Sequence, residues 1–364
     1  MFARMLVATR EFKVTVPSLL FDPGIFAFDF AANAEFTKFL VVDEQILDRA
    51  PFIDIRFEPL AKAQFWVDTG ELFDLESRRD VARPAPAFIF HHAFVCSTLL
   101  ARCLSRIDAF FSLKEPWILR RLADHKRANP ALASSPKWRE LFCSYVQLLC
   151  RSYATGRTPV IKATNVANNL LADVLHFMPA CAALYLHSDL ETFLVSNLKR
   201  PGETQRKIPA LTQSFLGDCD FLLQHPEFRD TSRMSFLRSC ALLWLVGLYN
   251  LRETVVRYPG GKLRTLDMND FLDDPRRSLA SVSRHFGHVP DAAEAQAMID
   301  AEVMRTHAKD PAAAYGIEQR RSELDQVRRR HERELEDVKN FILPLAEQHG
   351  IPQFLREHAL AYVP

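Results

Sequence analysis

A chain of 364 residues, 48% hydrophobic and 25% charged, can bury a large core and is too apolar to stay unfolded. A formal net charge of +1 excludes a global field drawing it to nucleic acid or an anionic membrane, so any basic site is local. The longest apolar run, Cys240 to Tyr249, is about half a membrane span and reads as a buried helix.

The first residues, MFARMLVATREF, lack the long apolar region and cleavage pattern of a secretory signal. The seven cysteines are scattered among apolar neighbours without a C-x-x-C, as small core residues in a reducing, cytoplasmic setting would be. Residues 1–83 read as a strand-containing N-terminal extension, with short β-rich pieces at Phe12–Val16, Phe39–Val42, Ile53–Phe57 and Phe65–Val67. Asp22-Pro23-Gly24 and Asp68-Thr69-Gly70 read as turns between them; the second lacks the partner carboxylate an aspartic-protease dyad requires.

Arg83-Pro84-Ala85-Pro86 is a stiff junction and marks a boundary. Over residues 84–290 apolar strands alternate with helices: strands at Ala87–His91, Ala109–Leu113, Pro159–Lys162, Ala182–His187 and Leu263–Leu266. The helices include Pro136–Ser152, with Ser135 as N-cap, and an apolar one at Met234–Val256. This alternation predicts an α/β fold, a parallel sheet with helices on both faces and ligands at the carboxyl ends of the strands. Beyond Gly287 no strand signal remains, and residues 291–364 read as a helical extension. Ile317–Ile342 carries a narrow apolar stripe (Leu324, Val327, Leu335, Val338, Ile342) suited to docking on the domain, or alternatively to a homodimer contact.

The densest signal is Pro86–Leu104. The strand Phe88-Ile89-Phe90 leads into the loop His91–Cys96, and Ser97-Thr98 opens an amphipathic helix. Strand, tight loop, hydroxyl pair and helix is the layout of a phosphate cradle, in which helix N-terminal amides face an anion. Against the pattern G-x-x-x-x-G-K-[ST], the same spacing reads His91, four residues, Cys96, Ser97, Thr98, without either glycine or the lysine. A buried strand followed by an N-capped helix accounts for the same residues.

Four stretches in order resemble the sulfotransferase family, whose members transfer a sulfuryl group from 3′-phosphoadenosine 5′-phosphosulfate (PAPS). They are Phe94–Leu100 (FVCSTLL), like the family's [RK]-S-G-T-T-x-L cradle; Leu113–Pro116 (LKEP), like an E-P or E-E pair; Val160–Asn165 (VIKATN), like a K-T-P or K-T-H strand end; and Leu263–Arg276 (LRTLDMNDFLDDPR), like the closing Y-E-D-L-x-x-D-P turn. Leu184–Asp189 in addition resembles the 3′-phosphate segment, in which an arginine is followed eight residues later by a serine, here Ser188 and Ser196. The resemblance implies a three-layer, P-loop-like α/β core, PAPS as co-substrate, no metal, and a small-molecule or peptide acceptor bearing a hydroxyl or amine.

It further implies roles. Val95, Cys96, Ser97, Thr98 and Leu99 would form the cradle; Ser188, Ser196 and Arg200 would serve the 3′-phosphate; Lys162 would reach the sulfate bridge; Glu115 would be the general base. His92, or its neighbour His91, would supply charge as an imidazolium favoured by a polyanion. Several motif positions depart: Phe94 stands where the cradle cation belongs, Cys96 for its glycine, Ser188 for the 3′-phosphate arginine and Thr164 for the histidine base. No R-K-G-type run occurs near the chain end. Two functions follow: a divergent sulfotransferase, or a degenerate one with a nucleotide-binding or protein-interaction role; a kinase-type NTPase is more remote. Acceptor contacts are expected from the N-terminal segment and from Pro201–Arg233, where Leu211, Phe215, Phe221 and Leu222 lie.

Overall fold

The computed structural model describes residues 14–362 apart from 81, 155, 301–303, 305, 308–309 and 315–316. An N-terminal antiparallel sheet holds β1 (Ile25–Phe30), β2 (Phe36–Val41) and β3 (Ala63–Asp68) in that order. Five further strands follow: β4 (Ala87–His91), β5 (Phe110–Lys114), β6 (Thr158–Lys162), β7 (Ala182–His187) and β8 (Lys262–Asp267). They form one wholly parallel sheet in the order β5-β6-β4-β7-β8. The α/β layout expected from the sequence is therefore the one observed.

β4 is central, and all five of its residues are buried. That is why it reads as a continuous apolar run rather than an alternating one. Ala87 and Ile89 belong to one apolar layer, with the helices Ser97–Leu104 and Pro275–His285. Phe88 and Phe90 belong to the other, with the helices Pro136–Leu149, Leu190–Leu198 and Phe236–Arg257. The N-terminal sheet shares that second layer. Local capping chemistry agrees with the sequence: the Trp138 amide donates to Ser135 Oγ at 3.1 Å, with Pro136 in the first turn. Among the described residues no helix is long and apolar enough to cross a membrane.

Several local expectations are corrected. Val16–Phe21 is a short helix capped by Thr15, not the end of a strand; Phe12 of that expected strand lies outside the described residues. Ile53–Phe57 forms no strand because its backbone is engaged elsewhere: the Ile53 amide donates to the Lys114 carbonyl at 2.7 Å and its carbonyl accepts from Trp117 N at 2.9 Å. Asp68 does not close a hairpin but caps the helix Thr69–Ser77, accepting from the Glu71 amide at 2.9 Å. The helix predicted over Ile317–Ile342 is two helices, Ile317–Arg330 and Glu332–Gln348, broken at His331. A short antiparallel ribbon, Thr306–His307 with Asp310–Ala314, occurs where no strand was expected. Leu324, Leu335, Val338 and Ile342 of the narrow stripe are buried in the chain's own core.

Buried arginines tie the N-terminal segment to the rest. The Arg151 guanidinium, 5% exposed, donates to the carbonyls of Leu148 (2.8 Å), Leu19 (2.7 Å), Asp22 (3.2 Å) and Ile25 (2.6 Å). Arg83 of the stiff junction donates to the carbonyls of Gln147 and Leu20 and to Glu76. Replacing Arg151 by Met removes the guanidinium donors from all four carbonyls; that of Asp22 keeps a backbone donor, Ile25 N at 3.1 Å. The expected loss is about 3 kcal/mol in urea unfolding, against under about 1 kcal/mol for Arg56→Met, an exposed guanidinium paired with Asp54.

Candidate functional site

β4 delivers its carboxyl end into the loop His92–Cys96, and the helix starts at Ser97. The loop turns through two left-handed residues, Phe94 at φ 66° and Cys96 at φ 60°. For non-glycine residues that conformation costs about 1–2 kcal/mol each. Cys96 thus takes up the backbone shape that a cradle glycine would supply, and does so with a side chain in place. It is also the N-cap, without a side-chain capping bond, and Ser97 is the first helical residue. The first helix-closing bond runs from Leu100 N to Cys96 O at 3.0 Å, so helix geometry leaves the amides of Ser97, Thr98 and Leu99 without an intrahelical acceptor. Ser97, Thr98, Leu99 and Val95 are all buried.

Beside the cradle stand the ends of β5 and β6. Lys162, the last residue of β6, has no exposed surface, and its Nζ lies 2.5 Å from Glu115 Oε1. Glu115 follows β5 in a left-handed conformation, φ 58°, and its amide donates to the Lys162 carbonyl at 2.7 Å. Backbone and side chain therefore hold the same pair together. Parallel pairing sets Ile89 of β4 opposite Lys162 and brings the two ends side by side. His91 lies between them, Nδ1 2.6 Å from the His92 carbonyl and Nε2 3.0 Å from the Ala163 carbonyl, only one of which a neutral imidazole can donate to. Burial, with Lys162 close by, pushes the His91 imidazole down to about 3.

His92, singled out for charge, occupies an apolar box instead. Its ring packs against Tyr185, Phe193 and Trp244 at centroid distances of 5.5, 5.4 and 6.5 Å. It is 4% exposed, neither ring nitrogen has a hydrogen-bond partner, and burial lowers its pKa far below the ordinary value. Close approach to the helix Phe236–Arg257 explains Gly247, since a Cβ there would sit 2.9 Å from His92 Nε2. As folded, His92 is a neutral ring and not an imidazolium. Charge at the strand end resides in Lys162.

The remaining residues lie in the segment that follows β7. Ser188 is buried, and its carbonyl accepts from Trp244 Nε1 at 2.9 Å. Ser196 is 2% exposed, and its Oγ has no partner. The Arg200 guanidinium lies over the Phe94 ring at 4.2 Å. Phe215 and Phe221 sit in the core, with Leu211 and Leu222 packed against it. Two features escaped the sequence reading. Arg320, on the helix Ile317–Arg330, reaches Phe94 O at 3.4 Å. His187 Nδ1, ending β7, faces Asp267 Oδ2, ending β8, at 3.6 Å. Only the strand-end positions of His187 and Asp267 could have flagged the second pair; nothing in the sequence flags the first, 226 residues away in the chain. Among the described residues no group of three His, Cys, Asp or Glu side chains is placed to hold a metal ion.

No protein-family model and no curated protein matches the chain. Solved sulfotransferases are similar in structure. STF1 from Mycobacterium tuberculosis H37Rv is 14% identical, with a TM-score of 0.42 over 69% of this chain and 77% of that one. The sulfotransferase domain from the curacin biosynthetic pathway is 14% identical, TM-score 0.41, over 69% and 99%. The domain from the Synechococcus PCC 7002 olefin synthase is 13% identical, TM-score 0.36, over 69% and 95%. At these scores the likeness carries no weight for the chemistry, which has to be read from the side chains.

Two expectations follow from the site. Cys96→Gly removes a left-handed strain and should stabilise the protein by about 1 kcal/mol in urea unfolding. Six histidines (His91, His92, His125, His187, His285, His349) are held below their ordinary pKa, chiefly by burial. Folded, they refuse protons that the unfolded chain accepts near pH 6.5, so stability is complete above that value and falls as pH drops. Asp173, Asp218 and Asp267 are raised by burial and act in the opposite direction, but are fewer. Thermal melts should give a Tm that falls from about pH 6.5 to about 4.5; a Tm that holds or rises over that range contradicts neutral burial of these rings.

Proposed function

We propose that this chain is a divergent sulfotransferase, taking PAPS as donor and passing its sulfuryl group to a hydroxyl or amine acceptor. The observation that carries the reading is one of position. The unanswered helix amides of Ser97–Leu99 and the buried Lys162–Glu115 pair meet at the carboxyl ends of the adjacent strands β4, β6 and β5. An orphaned hydroxyl, Ser196 Oγ, lies where the motif resemblance asks for a phosphate ligand. The donor's three anionic groups need such unspent donors.

Sulfuryl transfer passes through a loose transition state, so the protein mainly positions groups and offsets charge on the outgoing oxygens. Here the cradle amides would hold the 5′-phosphosulfate. Lys162 Nζ would turn from Glu115 to the oxygen bridging phosphorus and sulfur, neutralising charge as the S–O bond to the nucleotide breaks. Glu115, released from its ammonium, would accept the proton of the acceptor as the new O–S or N–S bond forms. The products are the sulfated acceptor, protonated Glu115 and adenosine 3′,5′-bisphosphate (PAP).

One feature favours the second reading, a nucleotide-binding protein without turnover. Lys162 has no exposed surface and is committed to Glu115, so no ligand touches it until that pair opens. Two measurements separate the readings. PAP at a hundredfold excess over its Kd should add about 2.7 kcal/mol of stability and raise the Tm by several degrees. PAPS with phenol, alkanol and amine acceptors should release PAP, at a rate reduced on the order of 100-fold or more in Lys162→Met and in Glu115→Gln. Binding without turnover leaves the degenerate reading; a cooperative melt that millimolar PAP does not move overturns both.

A further inference from the structure

The cradle lacks a cation in its own sequence because Phe94 stands at the position where a basic residue belongs. In the fold, a cation is nonetheless there. Arg320 is 9% exposed, and its Nη2 makes two contacts: the Phe94 carbonyl at 3.4 Å and the Met268 thioether sulfur at 3.1 Å. Neither is an anion, and among the described residues no carboxylate lies within ion-pairing distance of it. Its neighbour Arg321, by contrast, is half exposed and pairs with Asp273 and Glu318. A guanidinium presents five donors and does not shed its charge, so a single carbonyl and a sulfur leave its remaining donors to solvent or to a bound anion.

Its placement is enforced. Leu324, one turn further along the same helix, is buried in the core, and the helix is bound to Leu190–Leu198 by Arg328–Glu191 and to that helix's C-cap by Lys199–Glu323 at 2.5 Å. Phe94, which Arg320 touches, lies two residues before the N-cap Cys96 and its three unanswered amides. An under-paired buried cation and a helix N-terminus without acceptors thus share one loop. Each separately calls for negative charge.

We propose that Arg320 is the cation of the anion site: a tetrahedral oxyanion, phosphate or sulfate, binds between the Ser97–Leu99 amides and the Arg320 guanidinium, so that the C-terminal helix completes the cradle. The inference rests on the reading of the cradle as an anion site, and deepens it by naming the charge that the loop lacks.

The test measures Tm and calorimetric affinity for PAP and for inorganic pyrophosphate in the full chain, as wild type, Arg320→Met, Arg320→Lys and Arg321→Met. Wild type and Arg321→Met should bind alike. Arg320→Met should lose tenfold or more in affinity, with Arg320→Lys between them, and without ligand it should melt at or above the wild-type temperature because an unpaired buried charge has been removed. Should the Met variant fail to fold, the Lys variant reads the same affinity. Loss of pyrophosphate binding in Arg320→Met when wild type binds pyrophosphate but not PAP would uphold the anion site and sink the nucleotide reading. Equal PAP affinity in Arg320→Met and wild type overturns the role of Arg320 and leaves the nucleotide reading intact. No shift with either ligand in wild type overturns both.

Discussion

The arrangement depends on a lysine ammonium with no exposed surface at the end of β6, held by one carboxylate. Removing either partner would leave an uncompensated buried charge, which is far more costly than the pair is stabilising. The pair therefore constrains its surroundings more than it strengthens the fold. It accompanies a left-handed conformation at Glu115 that non-glycine residues seldom adopt, and it locks the first residue after β5 to the end of β6 through main chain as well as side chain. Moving that pair moves two strand ends at once.

Strain is concentrated at the same edge. Of four non-glycine residues with positive φ among the described residues, three are Phe94, Cys96 and Glu115. Backbone held in such conformations persists only where the surroundings over-determine it, and it gathers at places where side chains or amides must point in one direction. Here the surroundings are a central strand buried on both faces and paired on both sides. The loop after β4 cannot relax without disturbing two apolar layers. A rigid scaffold with tight turns at its carboxyl edge is what positioning chemistry requires.

The C-terminal helices give the edge its remaining wall. Their apolar stripe, with Leu335, Val338 and Ile342, packs into the layer built on the helix Phe236–Arg257. Their ion pairs to Glu191 and Lys199 fix the register against the helix that follows β7. Charge from the far end of the chain thereby arrives at a loop near its first quarter. The basic character that the near-zero net charge hides is local, and it is assembled from separate segments.

The sequence alone determined the layers. A short apolar run bounded by turn residues reads as a strand buried on both faces, and its alternation with amphipathic helices points to a parallel sheet; Ala87–His91 and Ala182–His187 were legible to the residue. Caps such as Ser135 were legible too, because their partners lie three residues away. Tertiary structure decided what depended on partners distant in sequence. Ile53–Phe57 has strand-like composition, but its backbone bonds are taken by the end of β5. His92 looked like a potential imidazolium, but three aromatic rings desolvate it and leave it neutral. Lys162 and Glu115 were found one by one, and only the register of β5 on β6 made them a pair. Arg320 has no local signature, since a helix face reads alike in sequence whether it meets water or the carbonyl of a cradle. Periodicity encodes burial. It does not encode which buried groups meet.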